Sequence, residues 1–199
     1  MRLASHSAAS STTPVTKTEL RAGMRARLRD FPPSTAASEA ICAAIRRHQA
    51  WSAAGTICAF FPLPSEPQIA SLWETDPART LCFPRIREGG VDLIRIDDPA
   101  LRRRATWKLD TPEFADAALV SPAEVDLFLV PGLAFTARGA RLGRGGGYYD
   151  RLLACRAQGS LAVGVCFAPQ VVEALPGEAH DHDVDIVISE SGLLTGPGC

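Results

Sequence analysis

The sequence predicts an α/β protein of three layers, in which a mainly parallel sheet carries helices on both faces. Several short segments are almost continuously apolar, as strands buried on both sides are. They are residues 56–61, 125–130, 161–165 and 186–189. Stretches with helical periodicity separate them, and this alternation is typical of a parallel sheet. The chain has 199 residues, 46% of them hydrophobic, so it can bury one substantial core. We expect one domain over residues 17–199, preceded by a disordered tail over residues 1–16.

The first predicted helix begins at a capping box. In Thr16-Lys17-Thr18-Glu19, the side chains of the first and last residues can each accept the backbone N–H of the other. Apolar residues then recur every four positions, at Leu20, Met24 and Leu28. The helix should therefore extend to about Asp30, and Phe31-Pro32-Pro33 should end it. A second helix should open near Ser34, with one face that carries Ile41, Ala44, Ile45 and His48.

The central part of the chain continues the alternation. After the first strand, Pro67 suits the first position of a third helix that extends through Trp73. Strands should follow over residues 80–84 and 91–96. Residues 97–123 contain three prolines and should be mostly irregular. A connection of that length is more often functional than idle.

Two later helices, over residues 148–157 and 169–175, should separate the last three strands. In parallel sheets, ligands collect at the carboxyl ends of the strands. The loops that follow Phe61, Val130 and Val165 should therefore open at one edge of the sheet, and we expect the binding site there.

Charge and composition exclude several classes of protein. The formal net charge is −1, whereas a general binder of nucleic acids or anionic membranes would be basic. No segment reaches transmembrane length, and the tail has no apolar stretch long enough for a signal peptide. We expect a cytoplasmic monomer, with import into an organelle as the alternative. The run Arg102-Arg103-Arg104 should face water.

The cysteines form no C-x-x-C pair, so we expect buried small hydrophobic residues rather than disulfide partners or zinc ligands. They are Cys42, Cys58, Cys82, Cys155, Cys166 and Cys199.

The most specific stretch is residues 141–151, which read Arg-Leu-Gly-Arg-Gly-Gly-Gly-Tyr-Tyr-Asp-Arg. Glycines let consecutive backbone N–H groups converge on an anion, although they also build ordinary turns. Arg141 and Arg144 offer forked donors to phosphate oxygens, and Asp150 is placed to bind the Mg²⁺ that accompanies a nucleotide. The stretch is not a P-loop, because no Gly-Lys-Ser/Thr follows, and its spacing is not that of a dinucleotide fingerprint.

Together with Val-Pro-Gly-Leu-Ala-Phe at residues 130–135, this stretch closely resembles the signature of the 5-formyltetrahydrofolate cyclo-ligases, also called 5,10-methenyltetrahydrofolate synthetases. Three shorter matches accompany it. Residues 17–21 are similar to the family's K-x-x-L-R, Phe61 and Glu66 match its folate contacts after the first strand, and residues 180–185 resemble its H-D-x-x-V-D. The resemblance covers residues 17–189. It implies a Rossmann-like sheet of the kind found in phosphosugar isomerases and coenzyme A transferases.

The resemblance also implies a role for each matching residue. Arg144 and Tyr148 would be catalytic, and Asp150 and Asp181 would bind Mg²⁺. The ATP contacts would be Lys17, Arg21, Arg141, Leu142, Gly143, Arg144, Gly145, Gly146, Gly147, Tyr148 and Tyr149. The folate contacts would be Phe61, Glu66, Trp107, Arg144, Gly145, Gly146, Gly147 and Tyr148.

Local sequence alone leaves other interpretations open. Lys17 and Arg21 also suit a solvated helix face, and Glu66 a charge at a turn or helix entry. One of the rings of Tyr148 and Tyr149 could contact a ligand while the other packs, or both could belong to the core. His180 and His182 suggest a transition-metal site, but neighbours two apart on a loop rarely close such a site alone.

The implied reaction uses ATP and Mg²⁺ to convert 5-formyltetrahydrofolate to 5,10-methenyltetrahydrofolate, with release of ADP and phosphate, through a phosphorylated formyl group. This is a step of one-carbon metabolism. Two positions depart from the common family pattern: Thr136, where many members have Asp, and Gly146, where some have Lys. The alternatives are a folate- or nucleotide-binding paralogue without turnover and a phosphosugar-isomerase-like enzyme of the same fold type.

Overall fold

The computed structural model describes residues 15–31, 34–74 and 79–194. Its helices are α1 (Lys17–Arg29), α2 (Thr35–Arg47), α3 (Gln49–Ala53), α4 (Ser71–Glu74), α5 (Pro99–Arg104) and α6 (Tyr148–Ala154). Its strands are β1 (Thr56–Cys58), β2 (Thr80–Arg87), β3 (Gly90–Arg95), β4 (Leu119–Val120), β5 (Leu127–Pro131), β6 (Ala134–Phe135), β7 (Arg141–Leu142), β8 (Leu161–Val165), β9 (Ile186–Ser189) and β10 (Gly192–Leu194). Short 3-10 helices occupy Pro112–Phe114, Pro122–Glu124 and Ala168–Gln170. Within these ranges no helix has the length and apolar character needed to cross a membrane.

One sheet contains eight of the strands, in the order β10-β9-β8-β5-β1-β2-β3-β4. The five central strands, from β9 to β2, are parallel, with Leu127 of β5 opposite both Ile57 of β1 and Leu161 of β8. The strands β3, β4 and β10 add antiparallel edges. The predicted three-layer α/β class with a mainly parallel sheet is confirmed.

Alternation along the central strands supplies two separate cores. In β1, Ile57 belongs to the core that covers α2, α3 and α4, whereas its neighbour Cys58 belongs to the core beneath α6. In β5, Leu129 belongs to the first of these cores and Val130 to the second. Successive strand residues point to opposite faces, so a continuously apolar strand buries both faces of the sheet.

Helix α1 packs mainly outside these two cores. Its Met24 and Leu28 join Leu133, Ala134 and Leu142 in a third cluster. Strands β6 and β7 form a separate hairpin with Ala134 opposite Leu142. The hairpin and the 3-10 turn at Ala168–Gln170 both pack against α1.

The capping-box prediction for α1 is confirmed. The Thr16 N–H donates to the Glu19 carboxylate at 2.8 Å, and the Glu19 N–H donates to the Thr16 hydroxyl at 3.3 Å. Helix α2 begins after Ser34, whose hydroxyl accepts the N–H of Ala37. Residues 1–14 of the predicted tail, and the Pro32-Pro33 stop signal, lie outside the described residues.

Of two predicted helices, one is shorter than expected and the other is wrong. The helix predicted from Pro67 through Trp73 begins only at Ser71, and the Gln68 N–H donates to the hydroxyl of Ser38 at 3.1 Å. The predicted helix over residues 169–175 is replaced by a 3-10 turn, after which the Val172 N–H donates to the carbonyl of Phe135 at 2.8 Å.

Residues 97–123 are more regular than predicted. Asp98 caps α5, Pro99 opens it, and β4 adds to the sheet beside β3. Local signals for α5 were present in the sequence, but the three prolines of the segment obscured them. Predicted bounds also shift: regular pairing ends β1 at Cys58, β2 continues to Arg87, and α6 ends at Ala154. The hairpin β6–β7, α3 and β10 were not predicted.

Two side-chain predictions are corrected. Arg102 is buried, and its Nη2 donates to the carbonyl of Asp97, so the basic run does not face water as a whole. Cys155 is exposed, whereas Cys42, Cys58, Cys82 and Cys166 are buried as expected. Cys199 lies outside the described residues.

The β6–β7 turn gives a direct test of backbone fit. Gly139 has φ +96°, and a Cβ atom there would lie 2.0 Å from the carbonyl oxygen of Val184. Gly139→Ala should therefore destabilise the protein by about 2 kcal/mol or more. Gly177→Ala, where a Cβ meets nothing within 4 Å, is the control and should change stability by less than about 0.5 kcal/mol. Urea unfolding of both variants measures the difference, and equal effects would contradict the assignment.

Candidate active site

A cavity of about 390 Å³ opens at the carboxyl ends of β1 and β5. All the residues that the family resemblance assigns to ATP, folate or Mg²⁺ line this cavity, although their positions in the sequence range from Lys17 to Asp181. The loops after Phe61 and Val130 contribute to its wall as predicted, but the loop after Val165 does not. The sequence did not identify the remaining lining residues, Phe60, Leu63, Pro84, Ile86, Pro131, Gly132 and His180.

The glycine loop between β7 and α6 needs its glycines for conformation and for space. Gly145 and Gly147 have φ of +110° and +63°, values that side chains with a Cβ rarely adopt. A Cβ atom on Gly146 would lie 2.4 Å from the ring of Tyr148. A lysine at position 146, as in some family members, would therefore require the tyrosine ring to move.

Helix α1 binds the glycine loop through two arginines on one of its faces. Arg21 donates from Nε to the carbonyl of Gly143 at 3.0 Å, and Arg25 donates from Nη2 to the carbonyl of Arg144 at 3.3 Å. Arg25 was not predicted, although it lies one helical turn after Arg21. The two bonds place the positive start of α1 beside the loop.

Lys17 binds the segment that precedes β9. Its Nζ lies 2.6 Å from both carboxylate oxygens of Asp181 and 3.2 Å from Glu178. Burial opposes the charge on each group. The hydrogen bonds between them outweigh burial, so the pKa of Lys17 is raised and that of Asp181 is lowered.

Arg141 is the most deeply buried cation of the cavity. Its side chain is 4% exposed, and Nη2 donates to Oδ1 of Asp150 at 2.6 Å. The guanidinium lies 5.8 Å from the ring centre of Tyr149, and its Nε has no hydrogen-bond partner. Burial raises the pKa of Tyr149 well above its ordinary value. Arg141 is thus held by a carboxylate and an aromatic face, and within the described residues only its Nη2 donates a hydrogen bond.

Arg144 joins the glycine loop to the loop after β1. Its Nε and Nη2 lie 3.0 and 2.7 Å from Oε1 of Glu66, and Nη2 also contacts the hydroxyl of Ser65. The second oxygen of Glu66 accepts the N–H of Leu63 at 2.9 Å. Glu66 is buried, whereas the side chain of Arg144 is 36% exposed, so the pair connects a buried carboxylate with a donor group at the cavity surface.

Aromatic and apolar side chains form the opposite wall. Phe61 stacks on Phe83 with ring centres 4.3 Å apart, and Trp73 meets both rings edge-on. Trp107 remains 49% exposed at the cavity mouth. Both tyrosines line the cavity; Tyr149 also packs against the core beneath α6, and Tyr148 has Arg151 5.1 Å from its ring centre. Core packing of Tyr149 is therefore compatible with a position at the cavity.

The carboxylates suggested for Mg²⁺ are already bound to protein cations. Oδ1 of Asp150 also accepts the N–H of His182 at 3.3 Å, and in the described part of the chain its Oδ2 makes no hydrogen bond. Glu178, His180 and Asp181 have potential ligand atoms within 4.8 Å of one another, and the ammonium of Lys17 lies among them. Hard carboxylate oxygens suit Mg²⁺, so the residues present fit this ion once the cations withdraw.

The departure at Thr136 preserves a hydrogen bond in the turn. Its Oγ1 accepts the N–H of Ala140 at 3.1 Å, and its own N–H donates to the carbonyl of Ala140 at 2.9 Å. A hydroxyl therefore bonds within the turn at the position where many relatives carry a carboxylate.

Comparison with known proteins identifies relatives over most of the chain. The profile of the 5-formyltetrahydrofolate cyclo-ligase family matches residues 13–190. The 5-formyltetrahydrofolate cyclo-ligase of Mycolicibacterium smegmatis is 30% identical over 63% of this chain and 69% of its own length. The mouse protein of the same name is 32% identical over 55% of this chain and 60% of its own. A mitochondrial relative from Arabidopsis thaliana is 39% identical, but the match spans only 29% of that protein.

Solved structures of similar fold include two 5,10-methenyltetrahydrofolate synthetases. The 5,10-methenyltetrahydrofolate synthetase of Aquifex aeolicus superposes with a TM-score of 0.72 and 28% identity, over 90% of this chain and 92% of its own. The Mycoplasma pneumoniae 5,10-methenyltetrahydrofolate synthetase has a TM-score of 0.68 at 18% identity, over 88% of this chain and 99% of its own, and supports the fold.

The buried pair Arg141–Asp150 should contribute far more to stability than an exposed one. Asp150→Asn leaves a guanidinium that is 4% exposed without its anion, which should lower the free energy of unfolding by about 2–4 kcal/mol. Asp97→Asn is the control, because the Arg95–Asp97 pair is 45% and 65% exposed, and it should cost less than about 1 kcal/mol. Urea unfolding at neutral pH compares the two. Similar costs would show that Arg141 does not depend on Asp150.

Proposed function

Because the chain belongs to the 5-formyltetrahydrofolate cyclo-ligase family, we propose that it converts 5-formyltetrahydrofolate and ATP, with Mg²⁺, into 5,10-methenyltetrahydrofolate, ADP and phosphate. The observation that carries the proposal is the convergence of the glycine loop, Lys17, Glu66 and Asp181 on one cavity, since 164 positions of sequence separate the outermost of them. Chance resemblance of short motifs would not bring them together.

The chemistry begins with a poor electrophile, the formamide carbon on N5 of the folate. The formyl oxygen attacks the γ-phosphorus of ATP, the bond from phosphorus to ADP breaks, and an iminium phosphate forms. N10 then attacks the former formyl carbon and loses its proton. The C–O bond breaks last, and phosphate leaves with the original formyl oxygen. ATP thereby converts an oxygen that cannot leave into one that can.

The nucleotide part of the proposed site is the basic side of the cavity. Arg21 uses only Nε for the loop carbonyl, so the rest of its guanidinium remains available to phosphate oxygens. Lys17 and Arg141 line the same side, and the glycine loop allows close approach of backbone N–H groups. When bound, Mg²⁺ would neutralise phosphate charge beside Asp150 and Asp181. Phosphoryl transfer needs positioning and charge stabilisation rather than a protein nucleophile.

The folate part of the proposed site is the aromatic side. Phe61 has one face against Phe83, which leaves its other face for a pterin ring. A carboxylate accepts about four hydrogen bonds, and Glu66 already accepts two from Arg144 and one from Leu63, so it can accept one more from an N–H of the pterin. Trp107 would cover the bound ring. Arg144 and Tyr148 lie between the two sides and are the proposed catalytic residues.

We also propose a cellular location, an oligomeric state and a class of partners for the enzyme. It acts as a cytoplasmic monomer on two small molecules, with neither a nucleic acid nor a membrane as partner, and belongs to one-carbon metabolism. We further propose that residues 17–199 form a single domain. The near-neutral formal charge supports the choice of small-molecule partners.

The decisive assay follows the near-ultraviolet absorbance of the methenyl product in a mixture of protein, 5-formyltetrahydrofolate, ATP and Mg²⁺. We expect product only when ATP and Mg²⁺ are both present. Binding of folate or nucleotide without turnover, by protein shown to be folded, would instead indicate a non-catalytic paralogue. Failure to bind either compound would refute the proposal.

Arg144→Ala should lower kcat/KM for 5-formyltetrahydrofolate about thirtyfold, because about 2 kcal/mol of transition-state stabilisation is lost with a forked, charged donor. Arg103→Ala removes the same side chain from an exposed position outside the cavity and should leave the rate unchanged. A rate for Arg144→Ala within threefold of the parent protein would remove Arg144 from the catalytic set.

A further inference from the structure

Three of the four basic side chains that line the cavity are neutralised by carboxylates of the cavity itself. The pairs are Lys17–Asp181, Arg141–Asp150 and Arg144–Glu66. Arg21 is the exception, because among the described residues it bonds only to a backbone carbonyl. A polyphosphate that enters this cavity therefore meets three ion-paired cations, and among the described lysine and arginine side chains of the lining only Arg21 has no carboxylate partner.

Two of these pairs join a side chain proposed for phosphate to a side chain proposed for the divalent ion. The ammonium of Lys17 lies 2.6 Å from both oxygens of Asp181 and 3.2 Å from Glu178, so it occupies the centre of the carboxylate cluster. Oδ1 of Asp150 accepts the hydrogen bond from Arg141, and within the described residues Oδ2 accepts none. Each carboxylate can hold the protein cation or a metal, and each protein cation can hold the carboxylate or a phosphate.

We propose that a divalent cation opens the nucleotide site by ion-pair exchange, in which Asp150 and Asp181 pass from Arg141 and Lys17 to the cation and the released side chains bind phosphate oxygens. This inference rests on the proposed function, because it assumes a nucleotide and Mg²⁺ in this cavity. Nucleotide without the cation then binds weakly, since it must break both ion pairs unaided. Binding of the two ligands is mutually favourable, as linkage requires.

The surroundings of Asp181 leave space for this exchange. The segment that carries Asp181 has a second cavity of about 470 Å³ along it, lined by Glu178, Asp181, His182 and Asp183, among others. Open space therefore lies beside Asp181 as well as in the main cavity. The segment remains anchored beyond Asp181 by the Val184 N–H, which donates to the carbonyl of Gly139 at 3.0 Å. The Asp181 carboxylate also accepts the N–H of Glu178 at 2.6 Å, so its movement must replace that bond while the chain on its far side stays in place.

Calorimetric titration with ADP, in Mg²⁺ and in EDTA, tests the exchange without any turnover. The parent protein should bind ADP about tenfold or more tightly with Mg²⁺, within the usual range of coupling between two ligands. Asp181→Asn should bind metal-free ADP about threefold or more tightly than the parent, because Lys17 loses its nearer carboxylate and keeps only the longer contact with Glu178 at 3.2 Å. Loss of a metal ligand alone would leave that metal-free affinity unchanged.

Two controls separate pair release from a general charge effect. Asp183→Asn removes the same charge two residues away, where the described chain shows no ion pair, and should change metal-free ADP binding by less than about twofold. The double variant Lys17→Gln/Asp181→Asn should lose the gain, because the gain requires the lysine. Melting temperatures confirm that each variant is folded.

The outcomes are distinct. Equal affinity of the parent protein for ADP in Mg²⁺ and in EDTA would overturn the exchange and leave the nucleotide site intact. An equal gain in Asp181→Asn and Asp183→Asn, or a gain that persists in the double variant, would also overturn it. Absence of ADP binding in both buffers would refute the proposed nucleotide site itself.

Discussion

A charge withdrawn from water must find a partner, and this requirement joins the parts of the cavity. Lys17 at the start of α1 meets Asp181 before β9, Arg144 in the glycine loop meets Glu66 after β1, and Arg141 of β7 meets Asp150 of α6. Each bond connects elements that the hydrophobic cores do not hold together directly. The cores form the sheet and its helices, whereas the ion pairs set the distances across the site.

Features encoded locally could be predicted from the sequence. The capping box of Thr16 and Glu19, the strand over Leu161–Val165 and the glycine loop each depend on residues close together in the chain. Features decided by distant partners could not. The Val172 N–H donates to the carbonyl of Phe135, so residues 169–175 do not continue as a helix although their pattern is helical. Propensity is a weak preference that a single buried hydrogen bond can override.

The same contrast, between features encoded locally and features decided by distant partners, applies to the site. Motifs indicated which residues would gather at the cavity, because each motif is contiguous. Their pairing was not predictable, since nothing in the spacing between Arg144 and Glu66 specifies a contact. The motif match assigns Arg144, Lys17 and Arg141 to phosphate contacts, whereas in the structure each one bonds to a carboxylate. Contacts between distant motifs are therefore a property of the fold that no single motif specifies.

The separate packing of α1 has a consequence for the motions of the protein. Met24 and Leu28 of this helix pack in the third cluster with residues of the β6–β7 hairpin, outside the two large cores of the sheet. Partial unfolding of α1 therefore exposes little of either core and costs less free energy than global unfolding. Because Lys17 and Arg21 lie on this helix, such local unfolding would withdraw two cavity cations at once and leave the aromatic wall in place. The cations of α1 and the aromatic wall therefore depend on different hydrophobic clusters.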